Sequence, residues 1–257
     1  MRSILLFLAG LLVAMALFAP FLGLHEPNAV SLGERLMPPF SPGHVFGTDM
    51  LGRDVFSRLM VGVRTSLGVA LAATAISMIL GTIIGLLSGY HGGRTDVFLM
   101  RGVELVMAFP YLVFALAIVA VLGPGLLNAL FAIGIVNVPF VARTVRGATL
   151  TLSKTKYVEA ARALGGGDSR ILNRHIIPNL LPTLMTASGT TFSWMLLETA
   201  GLSFIGLGAQ PPDADLGTML ADTRRLMLVY PHAPLVPGFA LMLLALAANL
   251  LAGRRKC

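Results

Sequence analysis

The chain is 257 residues long, 56% hydrophobic and only 12% charged, with a mean hydropathy of +0.82. Soluble domains carry roughly 25% charged residues, so a chain this poor in charge cannot cover its own surface in water, and the bilayer is its solvent. The formal net charge of +7 does not point to nucleic acid, because the basic residues sit at the ends of apolar runs, and the single Cys257 excludes an internal disulfide or a cysteine metal site.

Six apolar runs are each long enough to cross about 30 Å of hydrocarbon: residues 3–22, 65–87, 97–122, 126–145, 180–207 and 233–251. No soluble domain of any size fits between them. The first run is longer than the 7–15-residue core of a cleaved signal peptide, and Ala19-Pro20-Phe21 makes a poor cleavage site. It is expected to be a retained span.

Residues 23–64 form a long polar connection whose charges nearly cancel, Glu26, Glu34, Asp49 and Asp54 standing against Arg35, Arg53, Arg58 and Arg64. Within it, Gly47-Thr-Asp-Met-Leu-Gly-Arg-Asp-Val-Phe-Ser-Arg places glycines at 47 and 52, where turns are permitted, and sets Asp49, Arg53 and Asp54 close enough to pair locally. That is a role in shaping a mouth more than one in contacting a ligand. The second run carries Ala73, Ser77, Gly81, Gly85 and Gly89, one small residue every fourth position. Lipid offers no hydrophobic drive between helices, so such a ridge reads as close helix packing. Pro110 and Pro139 interrupt the third and fourth runs and are expected to kink them, as hinges or as static bends.

Residues 157–179 form the one polar, basic island in the second half of the chain: Tyr157-Val-Glu-Ala-Ala-Arg-Ala-Leu-Gly-Gly-Gly-Asp-Ser-Arg-Ile-Leu-Asn-Arg-His-Ile-Ile-Pro-Asn179. Val158 to Leu164 predicts a short helix with Val158, Ala161 and Leu164 close to one face. Gly165, Gly166 and Gly167 break it. Asp168 and Ser169 can each cap a second short helix, which Pro178 closes. Two short helices joined by glycines between spans make a knob that something outside the bilayer could grip.

Glu198 is the acidic residue deepest within a predicted span. Such a group is costly in lipid, so it faces a watery path or is buried in hydrogen-bonded packing, and the sequence leaves both open. Orientation follows from the positive charges. The island's connection carries Arg143, Arg146, Lys154, Lys156, Arg162, Arg170 and Arg174 against Glu159 and Asp168, and the tail adds Arg254, Arg255 and Lys256. Six spans with both ends on the cytoplasmic side satisfy every loop. No Gly-Lys dipeptide occurs, so there is no phosphate-cradling loop. His25, His44, His91, His175 and His232 are scattered, with no helical pair suited to a metal, and no nucleophile has a neighbouring base. This chain is not expected to hydrolyse ATP or to bind a cofactor of its own.

The island resembles the Glu-Ala-Ala (EAA) loop of the integral-membrane subunits of ATP-binding-cassette importers: Glu159, Ala160, Ala161, Gly165 and Pro178 fall on that pattern, while His175 and Ile177 replace its usual Ile and Leu. Arg174-His175-Ile176 is similar to the dipeptide and oligopeptide branch. Gly47 to Asp54 resembles the signature of the oligopeptide, dipeptide and nickel permeases, and Leu197-Glu198-Thr-Ala-Gly-Leu-Ser-Phe-Ile-Gly-Leu-Gly208 resembles the peptide branch. The likeness runs from about 46 to 249. Asp215-Leu216-Gly217 departs from a common Trp-Gly, and the last residues depart from a usual Gly-Asp-x-Leu-Arg-Asp.

The resemblance implies an all-α integral membrane protein with six transmembrane helices and a cytoplasmic coupling-helix loop between spans four and five. Residues 1–64 would form the first span and an extracytoplasmic loop, and 65–257 the permease domain. It implies a homologous permease partner, two cytoplasmic ATPase subunits holding ATP and magnesium, and an extracytoplasmic binding protein, with peptides or nickel as cargo. Glu159, Ala160, Ala161, Gly165, Asp168 and Pro178 would dock the ATPase, Glu198 would line the path, and Asp49, Gly52, Arg53 and Asp54 would shape the outer mouth. A self-contained secondary transporter would instead show internal repeats, of which none is convincing. An integral membrane enzyme would need a catalytic constellation.

Overall fold

The computed structural model describes residues 2–21 and 23–253, and over them the chain is helical; outside helices there are only two isolated bridges, Ser41 with His44 and Thr48 with Asp54. After α1 (Arg2–Phe18), the irregular 23–54 segment leads into α2 (Val55–His91), the 37-residue helix on which the rest is assembled. At 1.5 Å per residue it is roughly 55 Å long. It begins at Val55 rather than at Thr65, where the apolar run starts, because the Asp54 side chain caps it by accepting from the Ser57 N–H at 2.7 Å. The polar first turns are sheltered by protein: buried Arg58 donates to Asn28 Oδ1 at 3.1 Å and to the Pro27 carbonyl at 3.4 Å.

The 97–122 run is not one continuous helix. It splits into α3 (Gly93–Met107) and α4 (Tyr111–Leu122), whose axes turn by 86°. Pro110 sits at the start of α4 in an extended conformation, where its missing N–H costs nothing, so the proline separates two helices instead of bending one. Pro139 acts more gently. It is the second residue of α6 (Val138–Ser153), which follows α5 (Leu126–Val136) after the single junction residue Asn137.

α6 packs against α2 more extensively than any other pair of helices. The small-residue ridge is the reason: β-carbons on Gly81, Gly85 and Gly89 would stand 2.6 Å from Val141 Cβ, 2.5 Å from the Ala142 carbonyl and 2.8 Å from the Arg146 carbonyl. Ser77 Oγ donates to the Gly134 carbonyl at 2.6 Å. The packing reading of the ridge holds.

Beyond the island come α7 (Lys156–Ala163), α8 (Asp168–Ile171), α9 (Ile177–Phe204), α10 (Leu216–Thr223) and α11 (His232–Gly253). Among the described residues, four helical stretches are long and apolar enough to cross a membrane: Ser3–Phe21, Val55–His91, Leu126–Ser153 and His232–Gly253; the bent α3–α4 pair would make a fifth if it is one span. α9 is roughly 42 Å long at 1.5 Å per residue, but Thr183, Thr186, Thr190, Thr191, Ser188 and Ser193 dilute its apolar character. The main core joins Met60, Val63 and Ala73 of α2 to Ile133 of α5, Met195 and Leu196 of α9 and Leu244 of α11.

Candidate functional site

The knob is built at the His91 end of α2. α7 ends at Ala163 and is closed by a Schellman turn: the Gly166 N–H bonds the Ala161 carbonyl and the Gly165 N–H bonds the Arg162 carbonyl, both at 3.0 Å. Gly165 has φ +78°, the left-handed conformation that glycine adopts without steric cost. That is why a glycine stands four residues after Ala161. Gly166 is the crowded position instead, since a β-carbon there would lie 2.7 Å from the Ala161 carbonyl. It cannot relax freely to absorb strain at Gly165.

Three local expectations need correction. Asp168 does not cap α8: Gly167 takes that place without a side-chain bond, and the Asp168 carboxylate accepts instead from the Tyr90 hydroxyl at 2.7 Å. Pro178 does not close the second helix. α8 continues through a π turn, Leu172–Ile176, into α9, and Pro178 lies in the first turn of α9, where an N–H is dispensable. Leu164 does not share the face of Val158; it lies in the cap and is 89% exposed, while Val158 is fully buried.

Underneath, Val158, Ile171 and Ile176 of the island close with Val141 and Val145 of α6 and Leu180 of α9 into an apolar cluster from which water is excluded, with Leu86 and Tyr90 of α2 at its rim. The knob is therefore a rigid extension of three long helices. Its outward side exposes Glu159, Ala160, Leu164, Gly165, Asp168 and Pro178, with Ala161 half-buried between them. Lys154, Lys156, Arg162, Arg170 and Arg174 surround that side and are exposed. The outward side thus mixes small and apolar residues with two carboxylates inside a basic surround, a surface suited to docking a protein.

The other sequence-derived positions lie elsewhere. Glu198 is half-buried on α9, roughly 30 Å along the helix from Pro178 at 1.5 Å per residue. It lies within electrostatic reach of the Tyr111 hydroxyl on α4. Among the described residues no cation pairs with it. Asp49, Gly52, Arg53 and Asp54 gather at the opposite end of α2; Asp49 and Arg53 pair as expected, whereas Asp54 does not join them and caps α2 instead. Arg53 Nε donates to Asp49 Oδ2 at 2.6 Å, and Asp49 Oδ1 accepts from the Leu51 and Arg53 N–H groups at 2.8 and 3.0 Å. Gly52, at φ +74°, presses its α-carbon against the Ser31 backbone, leaving no room for a side chain.

Several partners escaped the sequence reading. His44 Nδ1 lies 2.9 Å from Asp54 Oδ1, and Arg53 reaches Asp222 of α10 at 3.3 Å. At the knob end, Arg146 holds Asp96 through two bonds of 2.6 Å, and Ser88 also donates to Asp96. Arg146 had counted only as a loop charge. Its neighbours at 88 and 96 are the one available signal, and they are visible only once α2, α3 and α6 are packed.

The family model for the binding-protein-dependent transport system inner membrane component matches residues 81–254. This chain belongs to that family. The match covers the small-residue ridge from Gly81, the knob and α9 to α11. Among similar proteins, the "Probable D,D-dipeptide transport system permease protein DdpC" of Escherichia coli (strain K12) is 42% identical over 93% of this chain and 80% of its own length. The dipeptide transport system permease protein DppC of Alkalihalophilus pseudofirmus is 41% identical over 93% of this chain and 78% of its own. The glutathione transport system permease protein GsiD of Pectobacterium atrosepticum is 39% identical over 94% and 80%. Among solved structures, an inward-facing form of the MetNI methionine ABC transporter superposes with a TM-score of 0.62 at 19% identity, covering 78% of this chain and 97% of that one. An amino acid ABC transporter with histidines gives 0.58 at 22% identity, covering 75% and 90%. These two share the permease fold with this inner-membrane transport component.

Proposed function

We propose that this chain is a permease subunit of an ATP-binding-cassette importer that carries dipeptides or oligopeptides. The observation that carries the reading is the knob: a Schellman-turned pair of short helices with an exposed outward side in a basic surround, fixed by a buried cluster to α2, α6 and α9. In this reading Glu159, Ala160, Ala161, Gly165, Asp168 and Pro178 form the surface that enters a cleft of a cytoplasmic ATPase. Closure of two ATPases on ATP and magnesium, which they hold, pulls paired permeases between inward- and outward-facing states. This chain supplies six spans, counting α9 and the bent α3–α4 pair as one each, with both termini cytoplasmic. A homologous permease completes the path, and an extracytoplasmic binding protein delivers cargo to the mouth shaped by Asp49, Gly52, Arg53 and Asp54. Residues 1–64 serve as first span and outer loop, and 65–257 as the permease domain.

Relatives named for dipeptides and glutathione support peptides over nickel as cargo. The test is binding by the partner binding protein that associates with the assembled transporter. Calorimetry should show a dipeptide or tripeptide bound tightly and competing with uptake. Binding of nickel or a nickel chelate, with peptides inert, would overturn the cargo while leaving the importer reading in place.

A further inference from the structure

We infer that Tyr90, at the end of α2, is the positioning residue that couples the knob to that helix; the inference rests on the docking role proposed for the knob. Tyr90 is the next-to-last residue of α2 and touches both arms of the knob at once. Its hydroxyl donates to Asp168 Oδ1 on α8 at 2.7 Å, and the Arg162 guanidinium of α7 lies 5.7 Å from its ring centroid, within cation–π range. Arg162 and Asp168 flank the Gly165–Gly167 turn, the part of the knob with the least packing of its own. One side chain thus ties the two arms together across the glycines and holds both to α2.

α2 is suited to carry what it receives. It has no proline from Val55 to His91, and its glycine ridge clamps it to α6. Next to Tyr90, Ser88 and Arg146 both hold Asp96, so the ends of α2, α3 and α6 are locked together. At the far end, Arg58 of α2 reaches the Pro27 and Pro212 carbonyls, joining the helix to the connections before α2 and before α10. A displacement of the knob must either break the Tyr90 contacts or move α2. The apolar cluster resists separation of the knob but is not directional. The Tyr90–Asp168 bond and the Arg162 contact fix the angle at which α7 and α8 meet the helix.

The experiment uses the assembled transporter in proteoliposomes, with ATP hydrolysis and peptide uptake measured together. Tyr90→Phe keeps the ring and the Arg162 contact and removes only the hydroxyl. The ATPase should still co-purify and hydrolyse ATP, while peptide carried per ATP falls several-fold. Tyr90→Leu removes the ring as well as the hydroxyl, so it should lower peptide carried per ATP at least as far as Tyr90→Phe. A merely structural role would lower the yield of assembled complex and leave uptake per ATP unchanged in what assembles. If Tyr90→Phe folds poorly, Tyr90→Leu reads the ratio. Wild-type uptake per ATP in either variant overturns the inference. A Gly165→Asp variant run in parallel separates the two ideas: if it too retains the ATPase and couples normally, the docking reading itself has failed.

Discussion

Gly85 of α2 and Ala142 of α6 meet backbone to backbone: a β-carbon on Gly85 would stand 2.5 Å from the Ala142 carbonyl oxygen and 2.8 Å from Val145 Cβ. In lipid, helices gain nothing from hiding apolar surface from one another, so association depends on such close approach. Gly85→Val should therefore lower stability by about 1–3 kcal/mol, the usual range for overpacking. Gly68, on the same helix, has nothing within 4 Å of its β-position, and Gly68→Ala should be neutral or stabilising. Thermal unfolding in detergent checks both. A gain at both positions would mean that helix propensity, not the α2–α6 contact, sets the effect.

The charge asymmetry predicts which face each connection occupies. With Cys257 replaced by serine, single cysteines at Ser41 and Asp213 should react with an impermeant maleimide added to intact cells. A cysteine at exposed Ser169, beside the knob, should react only after the membrane is opened. Labelling of Ser169 from outside would invert the six-span arrangement.

Glu198 is half-buried on α9 and has no ion-pair partner among the described residues, so its carboxylate is not explained by packing charge against charge. Glu198→Gln keeps the shape and removes the charge. Peptide uptake should fall at least several-fold, with ATPase association and thermal stability preserved. Normal uptake by that variant would assign Glu198 to packing alone.

How much of this could be read from residues alone follows from which forces are local. The ridge of Ala73 to Gly89 and the helix break at Gly165 were legible, because a repeat of four and a glycine run have one cheap structural meaning each. The 86° turn between α3 and α4 was not, since Pro110 inside an apolar run permits a kink or a break and only the surrounding helices decide. The start of α2 was missed for a related reason: Asp54, Ser57 and Arg58 look like loop residues until the 23–54 segment folds over them. Asp168 was misassigned as a cap because local rules favour one, whereas a tyrosine 78 positions earlier offers its hydroxyl. Tyr90 itself reads only as an aromatic at the end of a hydrophobic run, the usual membrane-interface pattern.

The account turns on the knob being the part an ATPase grips, and Gly165→Asp tests that most directly. At φ +78° a residue with a β-carbon costs about 1–2 kcal/mol, and no atom lies within 4 Å of the β-position, so the fold should survive. The added carboxylate would stand beside exposed Leu164 and put bulk and charge on the docking surface. Purified from membranes, the variant should be present at near wild-type level, with the ATPase lost or hydrolysing ATP without peptide uptake. Wild-type uptake with the ATPase retained would contradict the assignment.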